Sequence, residues 1–70
     1  MNGLVKRSFA LAGHRTSVAL EPEFWVALEA LAVTKGENLS RLVTHVDADR
    51  GADRPLASAL RVFALLGRAS

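Results

Sequence analysis

Residues 13–25, GHRTSVALEPEFW, contain one well-formed β-strand without an evident partner. Polar and apolar residues alternate over residues 15–20, which predicts a half-buried strand. No segment downstream has the same alternation. An unpaired strand leaves a row of backbone N–H and C=O groups without hydrogen-bond partners, and such an edge invites pairing with another chain. One face of this strand would carry Arg15, Ser17 and Ala19, and the other Thr16, Val18 and Leu20.

The preceding segment, residues 1–12, is ambiguous. Phe9 and Leu11 alternate with small or polar residues, as in a short extended segment. These apolar positions are odd-numbered, whereas those of residues 15–20 are even-numbered, so one continuous strand would place the two sets on opposite faces. Gly13 lies between them and indicates a bulge or bend. We therefore expect a basic N-terminal arm or a separate short strand.

Helical periodicity predicts three helices after the strand, and we find no internal repeats. The first covers residues 22–34, with Pro22 at its first position and Gly36 as its C-cap. The second covers residues 39–49 behind Asn38 as N-cap. The third covers about residues 56–67. The apolar stripe of the first helix contains Phe24, Leu28, Leu31 and Ala32, flanked by Trp25. That of the second contains Leu39, Leu42, Val43 and Val46. That of the third contains Leu56, Ala59, Leu60, Phe63 and Leu66.

The size and composition of the chain favour oligomerisation. Seventy residues form one small domain, half of the residues are apolar, and no cysteine is present. Small cores are marginal without disulfides, a metal or a partner chain. His14 and His45 without thiolates make a zinc site improbable, and no cofactor is expected. A dimer is the remaining way to stabilise such a domain.

Charge and hydropathy limit the kinds of function expected for this chain. Lys6, Arg7, His14 and Arg15 all precede the first acid, Glu21, although the net charge is only +2. A basic segment leading into a strand is typical of a surface that binds a polyanion. No apolar run is long enough to span a bilayer, and no signal-peptide core is present, so we expect a cytoplasmic protein. The acids have no nucleophile–base arrangement, so an enzyme is not expected.

Residues 16–46, TSVALEPEFWVALEALAVTKGENLSRLVTHV, resemble the ribbon-helix-helix family, the Arc and MetJ class of DNA readers. They share the order of alternating strand, acid-rich helix start, glycine between helices and N-capped second helix. GHRTSVALEPEFW and SALRVFAL look like a small bacterial subfamily with an extra C-terminal helix. The resemblance implies a mainly α fold with one short strand, an intertwined homodimer and an intermolecular two-stranded antiparallel ribbon. The core would span residues 13–50, and residues 51–70 would form a linker and third helix.

The resemblance also implies which residues contact DNA. The outward strand residues Arg15, Ser17 and Ala19 would read bases in the major groove, although alanine departs from the polar residue usual at that position. The free N–H groups that start the second helix would hold a phosphate at Asn38, Leu39 and Ser40. Lys6 and Arg7 would add phosphate contacts from the arm. The dimer core would contain Val18, Leu20, Phe24, Trp25, Leu28, Leu31, Leu42, Val43 and Val46.

Three functions remain open at this point. The first is a homodimeric transcriptional regulator, a repressor that occupies double-stranded DNA and in some cases pairs into tetramers there. The second is the antitoxin of a toxin–antitoxin pair. The third is a dimeric protein-interaction module without DNA binding.

Overall fold

A two-stranded sheet and three helices make up the part of the chain that the structure describes. The computed structural model describes the backbone of residues 3–69 and the side chains of residues 3–67; residues 1–2 of the expected arm and residue 70 of the C-terminal segment lie outside this range. The elements are β1 (Val5–Leu11), β2 (His14–Leu20), α1 (Pro22–Lys35), α2 (Leu39–Asp49) and α3 (Leu56–Ala69). This architecture is the ribbon-helix-helix arrangement with a third helix that the resemblance implies. No helix of the described chain is long and apolar enough to cross a membrane.

The partner of the predicted strand lies in the same chain and upstream of it. β1 pairs antiparallel with β2, from Val5 opposite Leu20 to Leu11 opposite His14. The described chain therefore contains two strands and not the expected one, and they form a hairpin. Pairing of β2 with its copy in a second molecule stays a prediction. The segment expected as an arm or separate strand supplies β1. Since β2 pairs with β1 of the same chain, its backbone hydrogen bonds no longer require an intertwined dimer.

A two-residue turn explains why the apolar positions of the two strands differ in parity. Ala12 and Gly13 have φ values of 49° and 82°, the positive values that a tight two-residue hairpin turn of type I′ needs. With this turn, each odd-numbered residue of β1 lies opposite an even-numbered residue of β2. Phe9, Leu11, Val18 and Leu20 therefore share one face and are all buried. The parity difference is the signature of the hairpin, not an argument against pairing.

The buried face of the hairpin packs on α1 through a tryptophan. Trp25 is 1% exposed, and its indole N–H donates to the backbone carbonyl of Val5 at 2.8 Å. The Phe9 ring lies 5.8 Å from the Trp25 ring, centroid to centroid. The resulting core includes the fully buried Leu20, Leu28, Val43 and Leu60. Of the nine expected core residues, Phe24 and Leu31 are partly buried and the other seven are buried, all within one chain.

The helix ends form as the sequence predicts. Gly36 adopts the left-handed conformation with φ 72°, and its N–H bonds carbonyls at the end of α1. Two residues later the Asn38 side chain accepts a hydrogen bond from the Arg41 backbone N–H at 2.8 Å. Both predicted caps are confirmed. Together they place the start of α2 only a few residues beyond the end of α1.

The third helix packs on the core of its own chain. Leu60 and Ala64 are 0% and 1% exposed, and Arg61 joins Glu21 with Nη2 and Oε1 2.9 Å apart. A contact with its own backbone N–H and then the Arg61 guanidinium lower the pKa of Glu21 below the ordinary 4.5. Leu66, expected on the buried stripe, is 63% exposed. It lies about a quarter turn from the centre of that stripe at 3.6 residues per turn, so that prediction is wrong.

Candidate nucleic-acid interface

The face of the hairpin that points away from the helices is polar and basic. Side chains alternate between the two faces of a sheet, so six residues share this outward face. Ala19 is half-buried, the other five are exposed, and none is acidic. The six residues are Lys6, Ser8 and Ala10 on β1 and Arg15, Ser17 and Ala19 on β2.

A pair of serines occupies the centre of this outward face. Ser8 lies opposite Ser17, and their hydroxyl oxygens are 3.0 Å apart. When one hydroxyl donates to the other, the accepting hydroxyl keeps its own hydrogen free for an outside acceptor. The donating hydroxyl keeps lone pairs that accept from an outside N–H. The serine pair can thus serve either a donor or an acceptor on a ligand.

Two cationic side chains lie at diagonally opposite corners of the same face. Lys6 is opposite Ala19, and Arg15 is opposite Ala10. Because each long side chain faces an alanine across the ribbon, neighbouring side chains leave it room to extend outward. Neither cation is in an ion pair within the part of the chain whose side chains are described. Both positive charges are therefore available to an anionic or electron-rich partner.

Arg7 lies on the other face, although it directly follows Lys6. Its Nη1 is 2.7 Å from Glu29 Oε2, and its guanidinium carbon lies 5.0 Å from the centroid of the Trp25 ring. The ion pair and the cation–π contact tie β1 to α1. The structure thus separates two basic residues that the sequence analysis assigned together to phosphate binding, and of these two only Lys6 lies on the outward face.

The start of α2 offers a few backbone N–H groups that could bind an anion. The first N–H groups of a helix have no intrahelical acceptor. Asn38 satisfies that of Arg41, which leaves those of Leu39 and Ser40 for water or a ligand. The side chains of Asn38 and Ser40 are exposed, and that of Leu39 is half-buried.

The histidines and acids form no second site of this kind. His45 Nδ1 lies 3.4 Å from Glu37 Oε1, and His14 is exposed at the turn end of β2. Within the described residues, no three His, Asp or Glu side chains gather where they could hold a metal ion. The outward face of the hairpin is therefore the main candidate site.

Two of the six residues on this face were missed in the sequence analysis. Ser8 and Ala10 were not singled out, because β1 was not assigned as the partner of β2. The signal was present in two segments nine residues apart, KRSFAL over 6–11 and RTSVAL over 15–20. Both read as a cation, any residue, serine, apolar, alanine and leucine.

Comparison with known proteins agrees with this geometry. The model of the family described as "Ribbon-helix-helix domain" matches residues 4–67, which include both strands and most of α3. No curated protein matches. A solved structure, that of an uncharacterized protein from Bordetella pertussis Tohama I, is similar with a TM-score of 0.79 and 30% identity over 94% of this chain. This chain spans 56% of that protein's length. Because the family model covers the hairpin and all three helices, the chain belongs to the ribbon-helix-helix family.

Proposed function

We propose that the protein is a sequence-specific DNA-binding transcriptional regulator, a repressor that occupies its operator by inserting the β1–β2 hairpin into the major groove. The observation that carries the proposal is the outward face of the hairpin. It presents a pair of hydroxyls, no acid, and two cations that make no ion pair with any side chain the structure describes. In this proposal the protein acts in the cytoplasm on double-stranded DNA, without cofactor or catalysis.

The dimensions and chemistry of the hairpin suit the major groove. That groove is wide enough for a two-stranded ribbon and shows a distinct donor and acceptor pattern for each base pair. The Arg15 guanidinium can donate two parallel hydrogen bonds to O6 and N7 of a guanine. Such a bidentate contact contributes about 1–3 kcal/mol of discrimination against other bases. Lys6 can donate to O6 or N7 of another guanine, but its ammonium group is a point charge and lacks the planar fork of arginine.

The serines and alanines complete the reading surface in this proposal. Ser8 and Ser17 donate to or accept from base edges between the two cations. Ala10 and Ala19 allow the sheet to approach the bases closely and can contact a thymine methyl. Specificity would then rest mainly on the two cations and the serine pair, because an alanine offers no hydrogen bond.

Phosphate contacts would come from α2 and set the position of the hairpin on the duplex. The N–H groups of Leu39 and Ser40, with the side chains of Asn38 and Ser40, fit an anion at a helix N-terminus. Such contacts carry no base information. Arg7 has no part in this scheme, since its guanidinium is engaged with Glu29 and Trp25.

Homodimerisation remains a prediction, but it is no longer needed to supply a partner strand for β2. Each chain already contains a two-stranded hairpin, so strand pairing between two chains would have to use a free outer edge of that hairpin. Sedimentation at micromolar concentration, alone and with duplex DNA, distinguishes a monomer from a dimer or a tetramer.

Two substitutions test the separation of base reading from phosphate anchoring. Arg15→Ala should weaken binding to a selected duplex more than binding to random duplex, so that the ratio of the two affinities falls. Ser40→Ala should weaken both to a similar, smaller extent. Fluorescence anisotropy with both duplexes at one fixed salt concentration measures this, because affinity falls steeply with salt. If folded Arg15→Ala binds the selected duplex as tightly as the unmodified protein, the outward face does not read DNA.

A protein-interaction module is the second candidate, and the helices supply the observation that favours it. Leu65 and Leu66 on α3 are 69% and 63% exposed. Beside Leu66, an open groove of about 690 Å³ runs between α2 and α3, with apolar residues such as Val46 and Phe63 and a charged rim. An antitoxin would combine such a surface with DNA binding. Absence of any salt-dependent affinity for random duplex DNA would make the module the preferred function.

A further inference from the structure

The groove between α2 and α3 has an apolar ridge on its own rim. Val46 of α2 and Phe63 of α3 give the groove an apolar lining. Along its α3 side, Val62 and Leu66 are 38% and 63% exposed. These two residues are four positions apart on α3, and side chains at that spacing form a ridge that packs into the groove of another helix surface. One face of the molecule therefore carries both a groove and a ridge of apolar side chains.

Charged side chains lie at both ends of this groove. Lys35 and Glu37 line the end where α2 begins, and Asp49 and Arg54 line the end where it finishes. Since α2 has 11 residues, the two ends are about 16 Å apart. Lys35, Asp49 and Arg54 make no ion pair with any side chain that the structure describes. Each end thus carries one acidic and one basic residue.

The charges of this face are complementary to a second copy of the same face. A half-turn about an axis perpendicular to the groove exchanges its two ends. Lys35 of one copy then meets Asp49 of the second copy, and Arg54 meets Glu37 of the second copy. The Val62–Leu66 ridge of each copy enters the groove of the other. Each contact occurs twice, because a twofold interface is the same in both directions.

We propose that the α2–α3 groove binds a second copy of this chain in a twofold contact that is separate from any pairing of strands. Every residue that lines the groove lies within residues 35–67, and none lies in β1 or β2. The contact therefore leaves the outer edges of the hairpin free. Burial of the exposed ridge drives the association. This inference goes beyond the proposed function, because it does not depend on what the outward face of the hairpin binds.

Two adjacent leucines give the first arm of the experiment. Leu65 and Leu66 are 69% and 63% exposed, but of the two only Leu66 lines the groove. Leu66→Asp should raise the dissociation constant for self-association, measured by sedimentation equilibrium, by about tenfold or more. The matched control Leu65→Asp should leave it within about twofold. Circular dichroism should show both variants folded, because neither side chain belongs to the core.

Charge reversal gives the second arm and tests the twofold geometry. Lys35→Glu sets an acid against Asp49 of the second copy, and Asp49→Lys sets a base against Lys35 of the second copy. Each variant alone should associate about fivefold or more weakly, because an attraction becomes a repulsion at two places. An equal mixture of the two variants should regain association, since every acid again meets a base. Glu23→Lys, at an exposed position outside the groove, should change nothing alone or in a mixture.

Three results would overturn the inference. The first is equal self-association of the Leu65→Asp and Leu66→Asp variants, whether both keep it or both lose it. The second is failure of the two folded charge-reversed variants to associate when they are mixed. The third is an unmodified protein that stays a monomer at all concentrations. Loss of the proposed function is a separate result, because an unmodified protein that binds no DNA but shows the expected behaviour in both arms leaves the contact between copies in place.

Discussion

The two faces of one hairpin place the same kind of residue in different surroundings. Lys6 and Arg7 are adjacent basic residues on β1, yet Lys6 is on the outward face without an ion pair in the described chain, while Arg7 contacts Glu29 and Trp25. The alternation of side chains in a strand produces the difference. The inward face carries aromatic and aliphatic residues around Arg7, and the outward face carries serines and alanines around Lys6.

Under the proposed function, this difference assigns stability to the inward face and DNA recognition to the outward face of one short sequence. Residues on the inward face should change the free energy of unfolding when substituted, and those on the outward face should change DNA binding at nearly constant stability. A basic residue is thus not evidence for a nucleic-acid contact until its face is known. Matched substitutions on the two faces can break or sharpen this comparison.

The largest difference is expected when the same charge is introduced on each face. Leu20→Glu buries a carboxylate at a position that is 0% exposed, so it should unfold the protein at a cost of several kcal/mol. Ala10→Glu places the same side chain on the exposed face opposite Arg15, so the domain should stay folded and lose DNA affinity through repulsion from phosphates. Circular dichroism and fluorescence anisotropy measure the two effects. Folded Leu20→Glu protein would contradict the burial of this position.

The adjacent cations give a second, smaller test. Arg7→Ala removes a partly exposed ion pair and a cation–π contact and should lower the free energy of unfolding by about 1 kcal/mol. Lys6→Ala should leave stability within about 0.5 kcal/mol, as surface substitutions usually do, and should weaken DNA binding. Urea denaturation followed by Trp25 fluorescence measures stability. Equal stability losses in the two variants would show that the faces are not separated in this way.

The turn that holds the faces in register offers the smallest effect. Ala12 has a φ of 49°, a conformation that costs an alanine about 1–2 kcal/mol. Ala12→Asn should stabilise the protein by up to about 1 kcal/mol, because asparagine is preferred at the first central position of a type I′ turn. Gly13→Ala is the matched control. No atom lies within 4 Å of an added Cβ there, so its expected destabilisation comes from the φ of 82° alone. Thermal unfolding should separate the two variants in opposite directions.

Much of the helical part could be predicted from the sequence because its signals are local. α2 has the predicted bounds, and Gly36 and Asn38 cap the helices where expected. The buried stripe of α3 was predicted except at its two edges: Leu66 at one edge is exposed, and Ala64 at the other is buried. The outward residues of β2 were predicted as base contacts, and Lys6 only as a phosphate contact from an arm. That Lys6, Ser8 and Ala10 share the outward face with them depends on pairing with an upstream strand whose alternation is weaker than that of β2.

The sequence by itself determined the period of each element, the helix ends and the two alternating strand segments, because each depends on residues a few positions apart. The tertiary structure decided which strand pairs with which, and therefore which side chains share a face. That choice depends on a turn at Ala12 and Gly13 and on Trp25, whose indole N–H bonds Val5 across 20 residues. Because of this pairing, the strand that looked unpaired in the sequence is half of a hairpin within one chain. A contact between distant residues leaves no periodic trace in the sequence, so its effect on Lys6 and Arg7 is visible only in the folded chain.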